Sequence, residues 1–139
     1  MTADPLVAAA AIARGRAYAP FSGFLVGAAL ETENGTIIFG CNSESASYVL
    51  TMCAERTAIF NGVSEGYRSF TRIAVVTDAA TPTPPCGACR QLLWEFAPDA
   101  EVILANMSGK AVRYTVLELL PNAFDAHQLT GQMDSKEKE

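Results

Sequence analysis

Hydrophobic residues recur along the chain with two spacings, one typical of helices and one typical of strands. The predicted helices cover residues 5–18, 52–64, 86–96 and a short segment after 115. The predicted strands cover residues 25–32, 36–41, 70–78, 101–106 and 111–114. Because helices and strands alternate, we expect a mixed five-stranded sheet with helices on both faces, a three-layer α/β/α sandwich.

Residues with strong cap or turn preferences set the boundaries of these segments. Asp4 and Pro5 provide an N-cap and a proline at the first helical position. The Asn34-Gly35 step between the first two strands favours the left-handed dihedral angles of a tight hairpin turn. Thr115 can cap the last short helix. The sequence therefore predicts a helix, a hairpin and then further helices that alternate with strands.

The length of the chain fits one domain with a single core. The chain has 139 residues and a mass of 14.8 kDa. We interpret residues 1–131 as one domain and expect the polar stretch 132–139 to be disordered. Half of the residues are hydrophobic and 18% are charged, below the roughly 25% of an average soluble protein. Association between copies of the chain would cover that apolar surplus.

Charge and hydropathy disfavour two classes of partner. Lys and Arg total 10 against 15 Asp and Glu, and the net charge of -5 repels phosphate backbones, which argues against a polynucleotide partner. The longest stretch without a charged residue, 17–30, is shorter than the ~20 apolar residues of a spanning helix. The apolar run 6–13 follows an acidic residue, unlike a secretory leader. We therefore expect a cytoplasmic protein without a membrane partner.

Three of the four cysteines stand where predicted helices begin. Cys86 and Cys89 form a C-x-x-C pair that opens a helix, so that their sulfur atoms share one face. Cys53 stands near the start of the preceding helix. Backbone N–H groups at helix N-termini lower thiol pKa values and favour the thiolates that bind zinc. Three thiolates without an obvious fourth ligand indicate one Zn²⁺ per chain in an open site, which is typical of catalytic zinc.

Charged residues beside these cysteines complete a candidate catalytic centre. Glu55 follows Cys53 by two positions, so both can face one substrate only if Cys53 occupies the first turn of the helix or the loop before it. Release of an amino group from an aromatic amidine needs protons on the ring nitrogen and on the departing group. A carboxylate that takes a proton from water and passes it on can serve both steps, and Glu55 is the candidate. Arg56 and Arg90 each follow a candidate ligand directly. We expect at least one guanidinium to donate a hydrogen bond to a thiolate and so withdraw charge from the metal.

Two motifs resemble the two halves of the metal site in the small zinc-dependent cytidine deaminases. They are Cys53-Ala54-Glu55-Arg56 and Pro85-Cys86-Gly87-Ala88-Cys89-Arg90-Gln91. The resemblance runs from about residue 17 to residue 124 and includes the segments 24–30, 40–44 and 119–124. It implies the cytidine deaminase fold and the zinc-dependent hydrolysis of cytidine and 2′-deoxycytidine to the uridines with release of ammonia.

The resemblance also implies which residues contact a small nucleoside substrate. The residues matching Asn42 and Glu44 hold the ribose hydroxyls, and the aromatic matching Phe24 packs on the base. An amide and a carboxylate suit hydroxyl groups, and an aromatic face suits a flat base. Enzymes of this kind are homotetramers whose sites are completed by aromatic residues of neighbouring subunits. Tyr48 and Phe124 match those aromatic positions. The substrate contacts expected in this chain are Phe24, Asn42, Glu44, Tyr48, Ala54 and Phe124.

Other interpretations of the same residues stay open. A structural zinc would need a fourth ligand, either Cys41 or the single histidine, His127. A C-x-x-C pair at a helix start is also typical of thiol oxidoreductases. Asn42 and Glu44 could simply end the second strand. An enzyme of this class could instead deaminate an aminoacyl-nucleoside antibiotic or an N4-substituted cytidine, and a non-catalytic zinc domain is a further alternative.

Overall fold

The computed structural model describes residues 4–130, and the predicted tail 132–139 lies outside them. The strands are β1 Val26–Thr32, β2 Ile37–Cys41, β3 Phe70–Thr77, β4 Glu101–Asn106 and β5 Ala111–Thr115. The helices are α1 Pro5–Arg14, α2 Ala54–Ser64, α3 Gly87–Phe96, α4 Val116–Leu119 and α5 Ala126–Thr130, and a 3₁₀ turn covers Tyr48–Leu50.

The five strands form one mixed sheet in the order β2-β1-β3-β4-β5. Strand β1 pairs antiparallel with both β2 and β3, and β4 pairs antiparallel with β5. Strands β3 and β4 are parallel, with Ile73 opposite Val102, and α3 connects them. A parallel pair needs such a crossover because its strands start at the same edge of the sheet. The predicted mixed five-stranded sheet is confirmed.

Alternate residues of the central strands are buried in two separate cores, one on each face of the sheet. On one face Ala74 and Ile103 pack with residues of α1 such as Leu6. On the other face Ile73 and Val102 pack in a larger cluster that also contains residues of α2, α3 and α4. Because successive side chains of a strand point to opposite faces, these two cores define the predicted three layers.

Two glycines let helices approach the sheet closely. A Cβ atom added at Gly27 of β1 would lie 2.1 Å from the Ala10 carbonyl oxygen of α1. A Cβ atom added at Gly40 of β2 would lie 2.4 Å from the Ala54 carbonyl oxygen and 2.5 Å from the Ala58 nitrogen. The first turn of α2, which begins at Ala54, therefore rests directly on the backbone of β2.

The first helix ends four residues before its predicted end. The alanine-rich composition favours helix through Tyr18, but α1 ends at Arg14. The Tyr18 N–H donates to the Asn42 carbonyl oxygen at 2.9 Å, and the Glu44 N–H donates to the Tyr18 carbonyl oxygen at 2.8 Å. Gly15, a poor helix former, is the C-cap of α1, and the bonds of Tyr18 hold the following chain extended beside residues 42–44, so that the helix does not continue.

Smaller differences affect one helix start, the hairpin turn and two short elements. Helix α2 begins at Ala54 rather than at 52, because Met52 pairs with Ser43 in an isolated bridge. The hairpin turn forms where predicted, but positive φ occurs at Gly35, with a value of 88°, and not at Asn34. The 3₁₀ turn and α5 had no counterpart among the predicted elements. None of the helices within residues 4–130 has the length and apolar character needed to cross a membrane.

Candidate active site

The three predicted ligands meet where two helices begin. Cys53 is the N-cap of α2 and has extended dihedral angles, φ -73° and ψ 153°. Cys86 is the N-cap of α3, and Cys89 lies in the first turn of that helix. The Cys86 Sγ atom is 3.9 Å from the Cys53 Sγ atom and 3.4 Å from the Cys89 Sγ atom. Both helix N-termini therefore direct sulfur atoms to one point.

The sulfur cluster fits zinc by distance and by chemistry. All three sulfur atoms lie within 4.8 Å of one another. Tetrahedral sulfur ligands about 2.3 Å from zinc are roughly 3.8 Å apart, so the observed distances fit a shared ion. A hydrogen bond from Cys89 lowers the pKa of Cys53 to about 5, and Arg56 acts in the same direction against the effect of burial. A thiolate is thus available at neutral pH, and thiolates are preferred zinc ligands.

The candidate fourth ligands for a closed site do not join the cluster. Within residues 4–130, the group able to hold a metal consists of the three predicted cysteines. Cys41 ends β2, and His127 lies in α5 near the other end of the described chain. Three ligands leave one coordination position for water or substrate, which is the arrangement of catalytic rather than structural zinc. The third sulfur, from Cys53, also distinguishes the cluster from a simple redox pair.

Glu55 is buried beside this cluster. Because Cys53 caps α2, Glu55 lies in the first turn of that helix, and the cysteine and the acid contribute to the wall of one cleft. Glu55 is 6% exposed. Burial, with a smaller contribution from the Cys53 thiolate, raises the pKa of Glu55 to about 7. A carboxyl group with this pKa exchanges a proton readily near neutral pH, as a general acid and base must.

The two arginines that follow the ligands have different contacts. Arg56 donates from Nη2 to the Cys53 Sγ atom at 3.3 Å. Arg90 donates from Nε to the Pro85 carbonyl oxygen and from Nη1 to the Leu119 carbonyl oxygen, both at 2.8 Å. The expected sulfur contact is therefore made by Arg56. Arg90 instead fixes the backbone just before Cys86 to the end of α4.

A cleft of about 210 Å³ opens over Glu55 and Cys53. The predicted contacts Phe24, Asn42 and Ala54 line this cleft, and its walls also include Val75 and Thr77. The Asn42 side chain accepts from the Val26 N–H at 2.9 Å and donates to the Phe24 carbonyl oxygen at 2.8 Å. Asn42 therefore shapes the wall that carries Phe24, in addition to ending β2.

The predicted contacts Glu44 and Tyr48 lie in an adjoining cleft of about 370 Å³. Thr51 lines both clefts. Glu44 accepts hydrogen bonds from Phe21 and Ser22, and the Ser22 contacts in particular lower the pKa of Glu44. Glu44 is therefore an ionised acceptor at the edge of the candidate site.

Phe124, which is expected to reach the site of a neighbouring subunit, lines neither cleft of its own chain. Its carbonyl oxygen accepts from the Gln91 Nε2 at 2.7 Å, and its side chain is 60% exposed. Tyr48, in the 3₁₀ turn, is 78% exposed. Both aromatic side chains therefore face outward from the chain that carries them.

Sequence reasoning did not identify Ser22, Thr51 or Thr83 as part of the site. The Thr83 hydroxyl contacts the Thr77 hydroxyl at 3.1 Å on the wall of the cleft. The Phe24 N–H donates to the Ser22 Oγ at 3.0 Å, a local turn contact that serine between Pro20 and Gly23 favours. The bonds that tie Ser22 to Glu44 cross 22 residues, and no local pattern indicates them.

The α/β/α fold, the open three-sulfur site and the buried acid together define the class of zinc-dependent hydrolytic deaminases. A family model described as the cytidine and deoxycytidylate deaminase zinc-binding region matches residues 2–105. The chain belongs to this cytidine and deoxycytidylate deaminase family.

Relatives of similar length match almost the whole chain. The chain is 49% identical over 131 residues to a cytidine deaminase of Sporosarcina psychrophila, covering 94% of this chain and 96% of the relative. It is 51% identical over 130 residues to a cytidine deaminase of Halalkalibacterium halodurans, covering 93% and 98%. A crystal structure of cytidine deaminase from Burkholderia pseudomallei superposes with a TM-score of 0.86 at 50% identity, covering 89% of this chain and 100% of that chain.

Proposed function

We propose that the protein hydrolyses cytidine and 2′-deoxycytidine to uridine and 2′-deoxyuridine with release of ammonia. The observation that carries this proposal is the buried Glu55 carboxyl group in the same cleft as Cys53, at the meeting point of the three sulfur atoms. Relatives at about half identity over nearly the full chain are cytidine deaminases.

Cys53, Cys86 and Cys89 would hold the zinc ion. When bound, zinc supplies a Lewis acid that makes water nucleophilic at neutral pH. Glu55 takes a proton from the attacking water and gives it to the pyrimidine ring nitrogen N3. Glu55 then takes the remaining proton from the hydroxyl group added to ring carbon C4 and gives it to the amino group, because an amide anion is too basic to leave unprotonated. The C–N bond breaks, the added oxygen becomes the C4 carbonyl of the uridine, and the amino group leaves as ammonia. Burial of Glu55 keeps bulk water from intercepting these protons.

A nucleoside fits the polar and aromatic residues around the cleft. Phe24 offers an aromatic face to the flat base, and Asn42 and Glu44 offer an amide and a carboxylate to the ribose hydroxyls. The negative charge of Glu44 would repel a 5′ phosphate placed near it, which favours a nucleoside over a nucleotide.

The described cysteines are all free thiols, which fits a reducing cytoplasm as the site of action.

The active unit of this proposal is a homotetramer whose sites are completed by neighbouring subunits. Tyr48, Val49 and Leu50 form a consecutive apolar segment with exposures of 78%, 88% and 68%. This segment borders the cleft that contains Glu44, and Phe124 is also exposed. Contiguous exposed apolar surface marks protein interaction sites. Light scattering should give a particle of four chains, each of 14.8 kDa, and a monomer would contradict this arrangement.

The decisive experiment adds zinc-loaded protein to a panel of nucleosides and follows the loss of the cytidine absorbance band. Cytidine and 2′-deoxycytidine should be converted with stoichiometric ammonia. The panel also includes an N4-substituted cytidine and an aminoacyl-nucleoside antibiotic, so that exclusive turnover of either would redirect the proposal to that substrate. A protein that binds zinc and converts none of these compounds is not a deaminase of this kind.

The matched variant is Glu55→Gln, which keeps the size of the side chain and one acceptor oxygen but cannot carry a proton. Its zinc content should equal that of the unmodified protein. Its turnover should fall by a factor of about 10²–10⁴, the usual contribution of a positioned general acid and base. Retained turnover would show that Glu55 is a structural carboxylate at a helix start.

A further inference from the structure

The Glu44 carboxylate is held at one end by backbone N–H groups. Its Oε1 accepts from the Phe21 N–H at 2.9 Å and from the Ser22 N–H at 3.1 Å. A carboxylate oxygen has two lone pairs, so these two donors fill Oε1. Any hydroxyl group of a ligand that binds Glu44 must therefore approach Oε2.

The Ser22 hydroxyl occupies half of the remaining acceptor capacity. Ser22 Oγ donates to Glu44 Oε2. One lone pair of Oε2 is left, and the donors on the loop determine where it points. Glu44 therefore presents a single acceptor position, matched to one hydroxyl group rather than to two.

The same hydroxyl group also fixes the neighbouring aromatic residue. Ser22 Oγ accepts from the Phe24 N–H at 3.0 Å while it donates to Glu44. Phe24 lines the cleft over Glu55, whereas Glu44 lines the adjoining cleft. Ser22 is thus the atom-to-atom link between the residue placed to stack on a base and the residue placed to accept from a sugar.

We propose that Ser22 is a positioning residue for nucleoside binding, which aims the free lone pair of Glu44 Oε2 at one ribose hydroxyl and sets Phe24 relative to it. This inference rests on the proposed function. Ser22 itself lies on the exposed loop between α1 and β1 and lines the cleft of Glu44. Its effect on a substrate is transmitted through Glu44 and Phe24.

The test compares Ser22→Ala with the unmodified protein on cytidine and on 2′,3′-dideoxycytidine, which lacks both secondary hydroxyls. Loss of the Ser22 hydroxyl should raise KM for cytidine about tenfold, the usual effect of losing a hydrogen bond to a charged group, with kcat changed less than about twofold. The factor by which KM rises for the dideoxy compound should be at least three times smaller than the factor for cytidine. Calorimetric Kd values for uridine and 2′,3′-dideoxyuridine should show the same difference without turnover.

Two further variants separate positioning from general damage to the loop. Ser22→Thr keeps a hydroxyl group, and its KM for cytidine should be close to that of the unmodified protein. Ser69→Ala removes a serine hydroxyl from another exposed loop and should leave KM unchanged for both nucleosides. An equal rise in KM and Kd for both members of each pair, or no rise, overturns the role of Ser22. Failure of the unmodified protein to hydrolyse any nucleoside overturns the proposed function instead, and the uridine Kd values then decide the role of Ser22 alone.

Discussion

At the scale of single residues, the sulfur cluster carries more negative charge than one divalent cation cancels. Three thiolates and one Zn²⁺ leave one excess negative charge, which weakens the metal as a Lewis acid. Arg56 opposes this excess through its contact with Cys53, and the hydrogen bond to Cys53, with a smaller contribution from the thiolate charge, in turn raises the pKa of Arg56. The Arg56 Nε atom is buried and has no hydrogen-bond partner among residues 4–130. Thiolate charge is therefore the main partner of this guanidinium.

Replacing Arg56 by Gln should weaken both zinc binding and turnover. Removal of a group that supports a ligand typically costs about 10–100-fold in metal affinity or activity. Competition with a chromogenic chelator measures the affinity, and the absorbance assay measures the rate. Arg90→Gln is the matched control, because it removes contacts with the Pro85 and Leu119 carbonyl oxygens. Arg90→Gln should lower Tm, and it should lower zinc affinity less than Arg56→Gln does. Equal losses of zinc affinity in the two variants would contradict the distinction.

The residue pattern predicts the metal cluster better than it predicts the substrate contacts. Cys86 and Cys89 are local to one helix, and the position of Cys53 follows from helix geometry once Glu55 is required to face the same cleft. The contacts of Glu44 depend on a loop 22 residues away that packs beside it. Short-range residue spacing does not indicate such a pairing, so the hydrogen bonds of Ser22 are evident only in the three-dimensional structure.

At the scale of elements, the position of the site depends on how closely α2 approaches β2. Gly40 provides the space, because any side chain there meets the backbone of Ala54 and Ala58. Backbone atoms cannot rotate away as the end of a flexible side chain can. The start of α2, and with it Cys53 and Glu55, therefore lies where it does because residue 40 has no Cβ atom.

Gly40→Ala should destabilise the protein by at least ~2 kcal/mol, since overpacking against backbone forces α2 away from the sheet. Chemical denaturation of the zinc-loaded protein measures this loss. Gly87→Ala is the control, because an added Cβ there meets nothing within 4 Å. A free energy of unfolding unchanged in Gly40→Ala would show that α2 can shift without cost.

Element type and most element ends were predictable, and the largest error is the end of α1. Periodicity and cap residues identify α3 and β4 closely, because the residues around them change character sharply. The predicted end of α1 was wrong because the alanine-rich composition outweighed Gly15, which is the C-cap of the helix, and because the bridge between Tyr18 and Ser43 involves a distant part of the sequence. Helix α5 lacks a buried residue, so hydrophobic periodicity gives no signal for it.

At the scale of the whole molecule, one ion network joins the start of α1 to the sheet. Arg72 of β3 lies 3.0 Å from Asp4, the N-cap of α1, and 3.0 Å from Glu31 of β1. Arg113 of β5 lies 3.5 Å from Asp4. The hydrogen bond from Arg72 holds the pKa of Glu31 below its usual value of 4.5. The side chains of Arg72, Asp4 and Glu31 are partly shielded from water, so the pairs of Arg72 contribute more than exposed pairs do.

This network predicts an acid-sensitive part of the stability. Because the pKa of Glu31 is lowered on folding, its contribution is complete above the unfolded pKa of about 4.5 and is lost as pH falls through the lower folded value. Glu31→Gln should therefore reduce the free energy of unfolding by about 1 kcal/mol at pH 7, with a difference that shrinks below pH ~4. Urea denaturation of both proteins at pH 7 and again below pH ~4 measures the difference in the free energy of unfolding. Glu33→Gln, in the exposed hairpin turn, is the control, and a pH-independent loss in Glu31→Gln would exclude this origin.

The sequence pattern predicts five strands and three layers, but it does not predict the order of the strands. Strand β1 lies between β2 and β3, and β3 takes β4 as its parallel neighbour. Several orders bury the same apolar faces, so hydrophobicity alone does not choose among them. The choice depends on the crossover through α3 and on contacts such as those of Arg72.

The distribution of the metal ligands along the chain has a consequence for biosynthesis. Cys53 precedes Cys86 by 33 residues, and translation at roughly 5–20 residues per second separates their emergence from the ribosome by a few seconds. Strands β4 and β5 follow both cysteines. A nascent chain can therefore assemble its complete thiolate set before its sheet is finished, so that metal capture can guide the last stage of folding.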